Sequence, residues 1–213
     1  MFRLAAASLV ALALANSAFA HFVFIVPAAD GKTLNVVMSE SLEPDEGVNL
    51  GPVANLKLQT RGNDGKDTPI VLSAHDHHLA GPAVNQNIVF GSLDYGVTSR
   101  GDLAFMLKYH PKAIIGKVPT KHHHLKLPKG VAEIVPERSA NGGVRFRVLF
   151  GDAPAAKVEV TVLNPDATEK KVVTDADGWT PAFTASGRYG AWARVVEEVD
   201  GEHQGKKYSQ VRH

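Results

Sequence analysis

Short runs of hydrophobic residues, many of them alternating with polar residues, extend along most of the chain. Apolar and polar side chains alternate at residues 56–60 and 156–163, which is the pattern of a strand with one buried face. Residues 22–26 are apolar at every position, so this run predicts a strand that is buried on both faces. No segment after residue 20 has the period of a long amphipathic helix. The pattern therefore indicates a β-rich protein.

Residues typical of turns separate these runs. Asp30 and Gly31 form one such signal, and residues 141–143 read Asn-Gly-Gly. Several short strands at spacings of about 8–12 residues are typical of antiparallel sandwiches. We therefore predict an all-β fold of two antiparallel β-sandwich modules, residues 21–140 and 141–213. Residues 111–121 are predicted to be a connector.

The first twenty residues have the features of a secretory signal peptide. Arg3 gives a positive start, residues 4–15 are apolar, and the segment ends in Ala18, Phe19 and Ala20. The apolar stretch is shorter than the roughly 20 residues that a membrane-spanning helix needs. We predict cleavage after Ala20, a periplasmic or secreted mature protein, and no membrane insertion after processing.

Cysteine is absent and histidine is frequent. All ten histidines follow residue 20. A metal site would therefore use imidazole, carboxylate, amine or carbonyl ligands rather than thiolate. The formal net charge of +1 includes Arg3 of the predicted signal, so nothing in the charge indicates a nucleic-acid partner or attraction to anionic lipid.

Cleavage after Ala20 would make His21 the first residue. Its α-amine and its imidazole would then share one Cα, and both nitrogens could bind one cation in a six-membered ring. Such groups bind a metal ion in their deprotonated forms. His21 is therefore a candidate metal ligand; the alternative is that a histidine stands at this position by chance.

A second histidine cluster follows the apolar run 68–74, which is predicted to be one strand. Residues 75–78 read His-Asp-His-His. If the segment is extended, His75 and His77 share one face of the strand. Two imidazoles with a third ligand suit Ni²⁺, Co²⁺, Cu²⁺ or Zn²⁺. The alternative is a solvated loop that is rich in histidine.

Residues 122–124 form a third cluster and read His-His-His. In an extended segment His122 and His124 would point to the same side. A run of three histidines favours metal binding more strongly than a single histidine does. The alternative is an exposed linker with adventitious affinity.

The remaining histidines carry weaker signals. His110, beside Pro111, is expected to be structural, and His213 is expected to be mobile. The chain has no G-x-S-x-G segment, no cysteine and no phosphate-binding glycine motif, so nucleophilic catalysis and nucleotide chemistry have little support. We predict that the protein is not an enzyme.

The C-terminal part, residues 144–213, resembles the small immunoglobulin-like or prealbumin-like modules of exported bacterial proteins. The resemblance rests on residues 155–160, 173–179 and 185–191, which include an Asp-Gly turn and Tyr189. It implies that the C-terminal module is an immunoglobulin-like β-sandwich.

The whole chain after residue 20 is similar to a family of exported bacterial proteins that carry a domain of unknown function. Some members are described as periplasmic components of nickel or cobalt uptake. The similarity rests on His21, Pro27, residues 94–96 and 107–113, and Tyr208. Residues 22–24, Phe-Val-Phe, depart from the pattern of that family. The resemblance implies extracytoplasmic metal handling and assigns no ligand beyond the leading histidine.

These observations predict a periplasmic protein that binds a divalent transition metal, with nickel or cobalt favoured over copper or zinc. The candidate ligands are His21, His75, His77, His122 and His124. The protein would be an accessory to metal uptake and would pass the ion to a membrane transporter component. Two alternatives stay open: a metal-free interaction or adhesion protein, and a copper enzyme that uses the leading histidine as a chelate.

Overall fold

The structure is a computed structural model that describes residues 21–62, 64–85, 87–118, 130–140 and 142–213. Over these residues the chain forms nineteen β-strands and one short 3-10 turn, Gly51–Val53. The predicted all-β class is therefore confirmed. Within the described segments, no helix has the length and apolar character needed to cross a membrane.

The strands fall into two groups along the chain. The first group is β1 (Phe22–Pro27), β2 (Thr33–Ser39), β3 (Lys57–Arg61), β4 (Asp67–Ile70), β5 (Ser73–Ala74), β6 (Leu79–Pro82), β7 (Ile88–Arg100), β8 (Leu103–Tyr109) and β9 (Lys112–Ile114). The second group is β10 (Ala132–Arg138), β11 (Val144–Phe150), β12 (Ala153–Pro154), β13 (Glu159–Leu163), β14 (Glu169–Val173), β15 (Gly190–Ala193), β16 (Val196–Glu197), β17 (Gly201–His203), β18 (Lys206–Tyr208) and β19 (Gln210–Arg212).

The N-terminal module is a sandwich of two sheets. One sheet has the order β1-β2-β6-β5, and the other has the order β16-β19-β8-β7-β3-β4 with β9 also paired to β7. Apolar side chains from both sheets form one core, including Val36 of β2, Leu58 of β3 and Val89 of β7. The burial of alternate residues in β3 confirms the pattern predicted for residues 56–60.

The C-terminal module has a smaller core between two three-stranded sheets, β10-β11-β12 and β14-β13-β15. Phe146 and Val148 of β11 pack there with Val160 and Val162 of β13 and with Phe183. The chain enters β11 through Gly143, whose φ is +81°. A Cβ atom placed on this residue would lie 2.3 Å from the Phe183 carbonyl oxygen. Only glycine fits this tight approach between the two segments.

Strand β1 lies between the two modules. Val23 and Ile25 pack into the N-terminal core, whereas Phe24 and Val26 pack in a separate cluster with Leu163 of the C-terminal module. This arrangement confirms the prediction that the first strand is buried on both faces. The physical reason for its uninterrupted apolar sequence is that each face meets a different core.

The C-terminal end of the chain returns to the N-terminal module. Strand β19 pairs with β8 in parallel, with Val211 opposite Met106. Every other strand pairing in the described residues is antiparallel. One sheet therefore takes strands from both sides of residue 140. The sequence pattern gave no sign of this pairing, because the partners are about a hundred residues apart.

Two predicted segments differ from the structure. Residues 68–74 were predicted as one strand, but β4 ends at Ile70 and β5 belongs to the opposite sheet. Val71, between them, is 83% exposed, because the chain crosses there from one sheet to the other. Residues 111–121 were predicted as a connector, but Lys112–Ile114 form β9 and pair with β7.

Candidate functional site

The imidazole of His21 lies against the carboxylate of Asp45, in the loop that follows β2. Nε2 of His21 is 3.1 Å from Oδ2 of Asp45, and the two side chains are 24% and 39% exposed. Because an ionised carboxylate only accepts hydrogen bonds, Nε2 donates the bond and carries the proton of the neutral ring. The lone pair is therefore on Nδ1. This is the ring nitrogen that can close a six-membered chelate with the α-amine of the same residue.

Asp45 is held in its ionised form by the loop around it. The Gly47 N–H donates to Oδ1 of Asp45 at 2.8 Å. This bond and then the bond with His21 lower the pKa of the Asp45 carboxyl. A carboxylate on the far nitrogen of an imidazole orients the ring and raises its basicity as a metal ligand. The pair thus has the arrangement of a metal-binding histidine with its supporting acid.

The backbone of His21 is fixed by Tyr109, the last residue of β8. The Tyr109 hydroxyl donates to the His21 carbonyl oxygen at 2.9 Å. Burial raises the pKa of Tyr109 to about 12, so the hydroxyl keeps its proton at neutral pH and remains a donor. The Tyr95 ring packs edge-on to Tyr109 at 5.6 Å between ring centroids. The structure therefore holds His21 at both its side chain and its main chain.

The histidines at residues 75–78 lie in a turn and not on a strand. The N–H of His75 donates to the carbonyl oxygen of His78 at 2.9 Å, which closes the tight turn between β5 and β6. The rings of His75 and His78 stack with centroids 4.9 Å apart and planes 5° apart. The expected pairing of His75 with His77 on one strand face is therefore wrong, because a four-residue turn brings its first and last residues together.

The turn also affects the protonation of His78. Burial, followed by the charges of His75 and His77, lowers the pKa of His78. A neutral imidazole is the form that binds a metal ion. The stacked pair His75 and His78 is thus a second place where imidazoles gather at the surface.

The turn and His21 lie toward the same end of one sheet. Phe22, next to His21, pairs with Ser39 at the end of β2, and Leu79, next to the turn, pairs with Val36 of the same strand. The two sites flank β2 on opposite sides and do not form one cluster. In the described part of the chain, no group of three or more His, Cys, Asp or Glu side chains has the geometry to hold a metal ion.

The third cluster cannot be placed. His122 and His124 lie in residues 119–129, outside the residues that the structure describes. Their role as metal ligands stays a prediction, and so does that of His21, His75 and His77.

Sequence reasoning missed a contact between two histidines that are far apart in the chain. Nε2 of His110 lies 3.1 Å from Nδ1 of His213. The His213 side chain is 2% exposed and its ring also packs against Phe150. The expectation that His213 is mobile is wrong, because the pairing of β19 with β8 places it beside His110. No pattern in the sequence signals this contact.

Comparison of the chain with protein-family models, with curated proteins and with solved structures finds no significant match.

Proposed function

We propose that the chain, once cleaved after Ala20, is an extracytoplasmic protein that binds a divalent transition metal through His21. The α-amine and Nδ1 of His21 would be the first two ligands. Nickel or cobalt is favoured by the resemblance described above, and copper or zinc are the alternatives. Binding rather than catalysis is the proposed role, with delivery of the ion to a membrane transporter component.

The single observation that carries this proposal is the contact of His21 Nε2 with Asp45 Oδ2 at 3.1 Å. It supports the proposal because it leaves Nδ1 as the acceptor nitrogen. A hydrogen bond at Nδ1 instead would have blocked the chelate. The bond from Tyr109 to the His21 carbonyl adds support, since it limits the positions that the terminal amine can take.

The chelate needs only one residue, so it does not depend on the three histidine clusters meeting at one point. His75 and His77 remain predicted ligands of a separate ion, and His122 and His124 remain predicted ligands of the same or a further ion. The stacked pair of His75 and His78 adds His78 to this set.

The test compares two forms of the protein that differ at the terminus. One begins at His21, and the matched control has one additional glycine before His21, which moves the amine but keeps the imidazole. Each is titrated with Ni²⁺, Co²⁺, Cu²⁺ and Zn²⁺ by calorimetry. We expect micromolar or tighter binding of at least one ion to the first form and at least tenfold weaker binding to the control. Millimolar affinity for all four ions would overturn the proposal, and so would equal affinity of the two forms.

The affinity order does not by itself identify the physiological metal, because Cu²⁺ outcompetes the other ions at nitrogen ligands. The metal is identified by its content in the protein purified from the periplasm. Nickel or cobalt in that sample supports the uptake role, and a metal-free sample argues for an interaction protein.

A further inference from the structure

A cavity of about 290 Å³ opens next to His21, between the two modules. Its size is near the lower end of the roughly 300–1,000 Å³ of small-molecule sites. Its lining includes His21, Lys108, Arg194 and Arg212. The candidate metal ligand and two arginines thus face one space.

The arginines at this cavity have no carboxylate partner. Among the described residues, no Asp or Glu lies within ion-pair distance of Arg194, Arg212 or the neighbouring Arg100. Burial, followed by the charges of Arg194 and Arg100, lowers the pKa of Arg212. The three guanidinium groups therefore repel one another, and the charge of Glu198 offsets only part of the effect on Arg212.

Two acidic groups near the cavity, Asp94 and Glu198, do not cancel this charge. Oδ1 of Asp94 lies 3.3 Å from Nζ of Lys108. The charge of Glu198 raises the pKa of Arg212, but by less than the charge of either Arg194 or Arg100 lowers it. Positive charge is therefore left on the arginines.

Two contacts fix the orientation of the Arg212 guanidinium group. Its Cζ lies 3.6 Å from the centroid of the Phe105 ring, and Nε and Nη2 lie 3.4 and 3.3 Å from Gln210 Oε1. The stacking fixes the plane of the guanidinium, which lowers the entropy lost on binding. Because Gln210 accepts at the Nε–Nη2 edge, the pair of Nη groups is the fork that matches the two oxygens of a carboxylate.

A divalent cation at His21 would be attracted by Asp45 but repelled by the arginines that line the same cavity. An anion between the cation and the arginines would offset the repulsion on both sides. We propose that the cavity binds a small polycarboxylate anion, and that the metal reaches His21 as the complex of that anion. The claim that the metal arrives as this complex rests on the proposed function, whereas the anion site does not depend on it.

The anion site is tested without metal. Citrate, acetate and inorganic phosphate are titrated by calorimetry into the chain that begins at His21, in buffer freed of metal on a chelating resin. We expect citrate to bind at least tenfold more tightly than acetate or phosphate, because two or three carboxylates can reach the arginines. Equal affinity for citrate and acetate would overturn the proposal, and tighter binding of phosphate would overturn the carboxylate assignment.

Variants locate the site. Arg194→Gln and Arg212→Gln should each weaken citrate binding about tenfold or more, since a charge-assisted hydrogen bond is lost. Arg194 is exposed, so its replacement leaves the packing intact even if the loss of Arg212 from Phe105 affects folding. Lys171→Gln is the control for charge alone, because Lys171 is 65% exposed on the edge strand β14. A loss in Lys171→Gln as large as in Arg194→Gln would overturn the site.

The metal role is tested separately with Asp45→Asn, because Asp45 contacts His21 but does not line the cavity. This variant should bind citrate as before and bind the metal about 10–100-fold more weakly. In the unchanged protein, citrate should increase the affinity for Ni²⁺ or Co²⁺ above that expected from the two ligands separately. Citrate binding with no metal binding under any condition would support the anion site and overturn the metal complex.

Discussion

Nε2 of His110 and Nδ1 of His213 lie 3.1 Å apart, although 103 positions separate the two residues in the chain. The ring planes differ by 16° and the ring centroids are 5.4 Å apart. This centroid distance equals the distance between the two nitrogens plus about two ring radii. The rings therefore meet edge to edge and share one proton in an N–H···N bond. The two facing nitrogens are therefore occupied by each other and are not directed at a common third point.

This pair predicts that acid destabilises the fold. Burial, followed by the charge of His213 and that of Lys108, lowers the pKa of His110 from 6.5 to about 4, and Asp94 opposes the shift. Between those values the unfolded chain binds a proton that the folded chain does not. The neutral, buried His110 therefore contributes its full stability above pH 6.5. As the pH falls, protonation of the unfolded chain lowers the free energy of unfolding, and this contribution is lost near pH 4. The loss is on the order of 2–3 kcal/mol.

Urea unfolding at pH 7.5, 6, 5 and 4.5 measures this decrease. In His110→Gln the residue cannot take up the proton, so the dependence of the unfolding free energy on pH should be shallower over the same range. Burial also lowers the pKa of His213, so His213→Gln should act in the same direction. Identical slopes in the original chain and both variants would contradict the prediction.

The buried ion pair between Lys112 and Glu133 predicts a large cost for removing one partner. The two side chains are 7% and 2% exposed, and burial lowers the pKa of Lys112. Lys112→Met leaves the Glu133 carboxylate without its ammonium partner. The free energy of unfolding should fall by about 3–5 kcal/mol, as measured by urea denaturation.

Two comparisons distinguish this cost from a general effect of charge. Lys66→Met is the surface control, since Lys66 pairs with Asp64 at 3.6 Å and is 84% exposed; its effect should stay within about 0.5 kcal/mol. The double variant Lys112→Met with Glu133→Leu should recover most of the stability, because no buried charge is left alone. A double variant as unstable as the single one would show that packing and not charge decides the cost.

Asp45→Asn should weaken the metal site without unfolding the protein. The amide keeps the size of the side chain and an oxygen for the Gly47 N–H, but it no longer carries a charge beside His21. Loss of such a supporting carboxylate lowers metal affinity about 10–100-fold. Competition titration with a metal indicator measures the change.

The matched control for that variant is Glu46→Gln, which removes the same charge from the next, exposed residue. Its metal affinity should be unchanged within about twofold, since screening by water weakens exposed charges. Equal losses in both variants would mean that the net charge, and not the contact with His21, controls binding.

The turn at residues 75–78 predicts which histidines act together. His75 stacks on His78, so His75→Ala and His78→Ala should affect any metal bound there in the same way, and the double variant should add little. His77→Ala should have the smaller effect. Calorimetric titration with Cu²⁺ or Zn²⁺ measures the affinity of all four variants. A larger loss of affinity in His77→Ala than in His78→Ala would contradict this prediction and favour the pairing of His75 with His77.

The alternation of apolar residues was sufficient to predict the class of fold, since a half-buried strand needs one apolar face. It was also sufficient for β1, whose continuous apolar sequence required two cores. It failed between Ile70 and Ser73, because a period of two gives no information about which of two sheets a strand joins. The chain crosses from one sheet to the other at that point.

The sequence by itself determined the class of fold and the kinds of ligand that a metal could find: imidazoles and carboxylates, with no thiolate. Only the tertiary structure decided which groups meet. Asp45 beside His21, His78 against His75, and His213 against His110 all depend on strand register or on a turn. The physical reason is that local propensity fixes the direction of a side chain relative to its own strand, whereas a contact between distant residues depends on how strands pair.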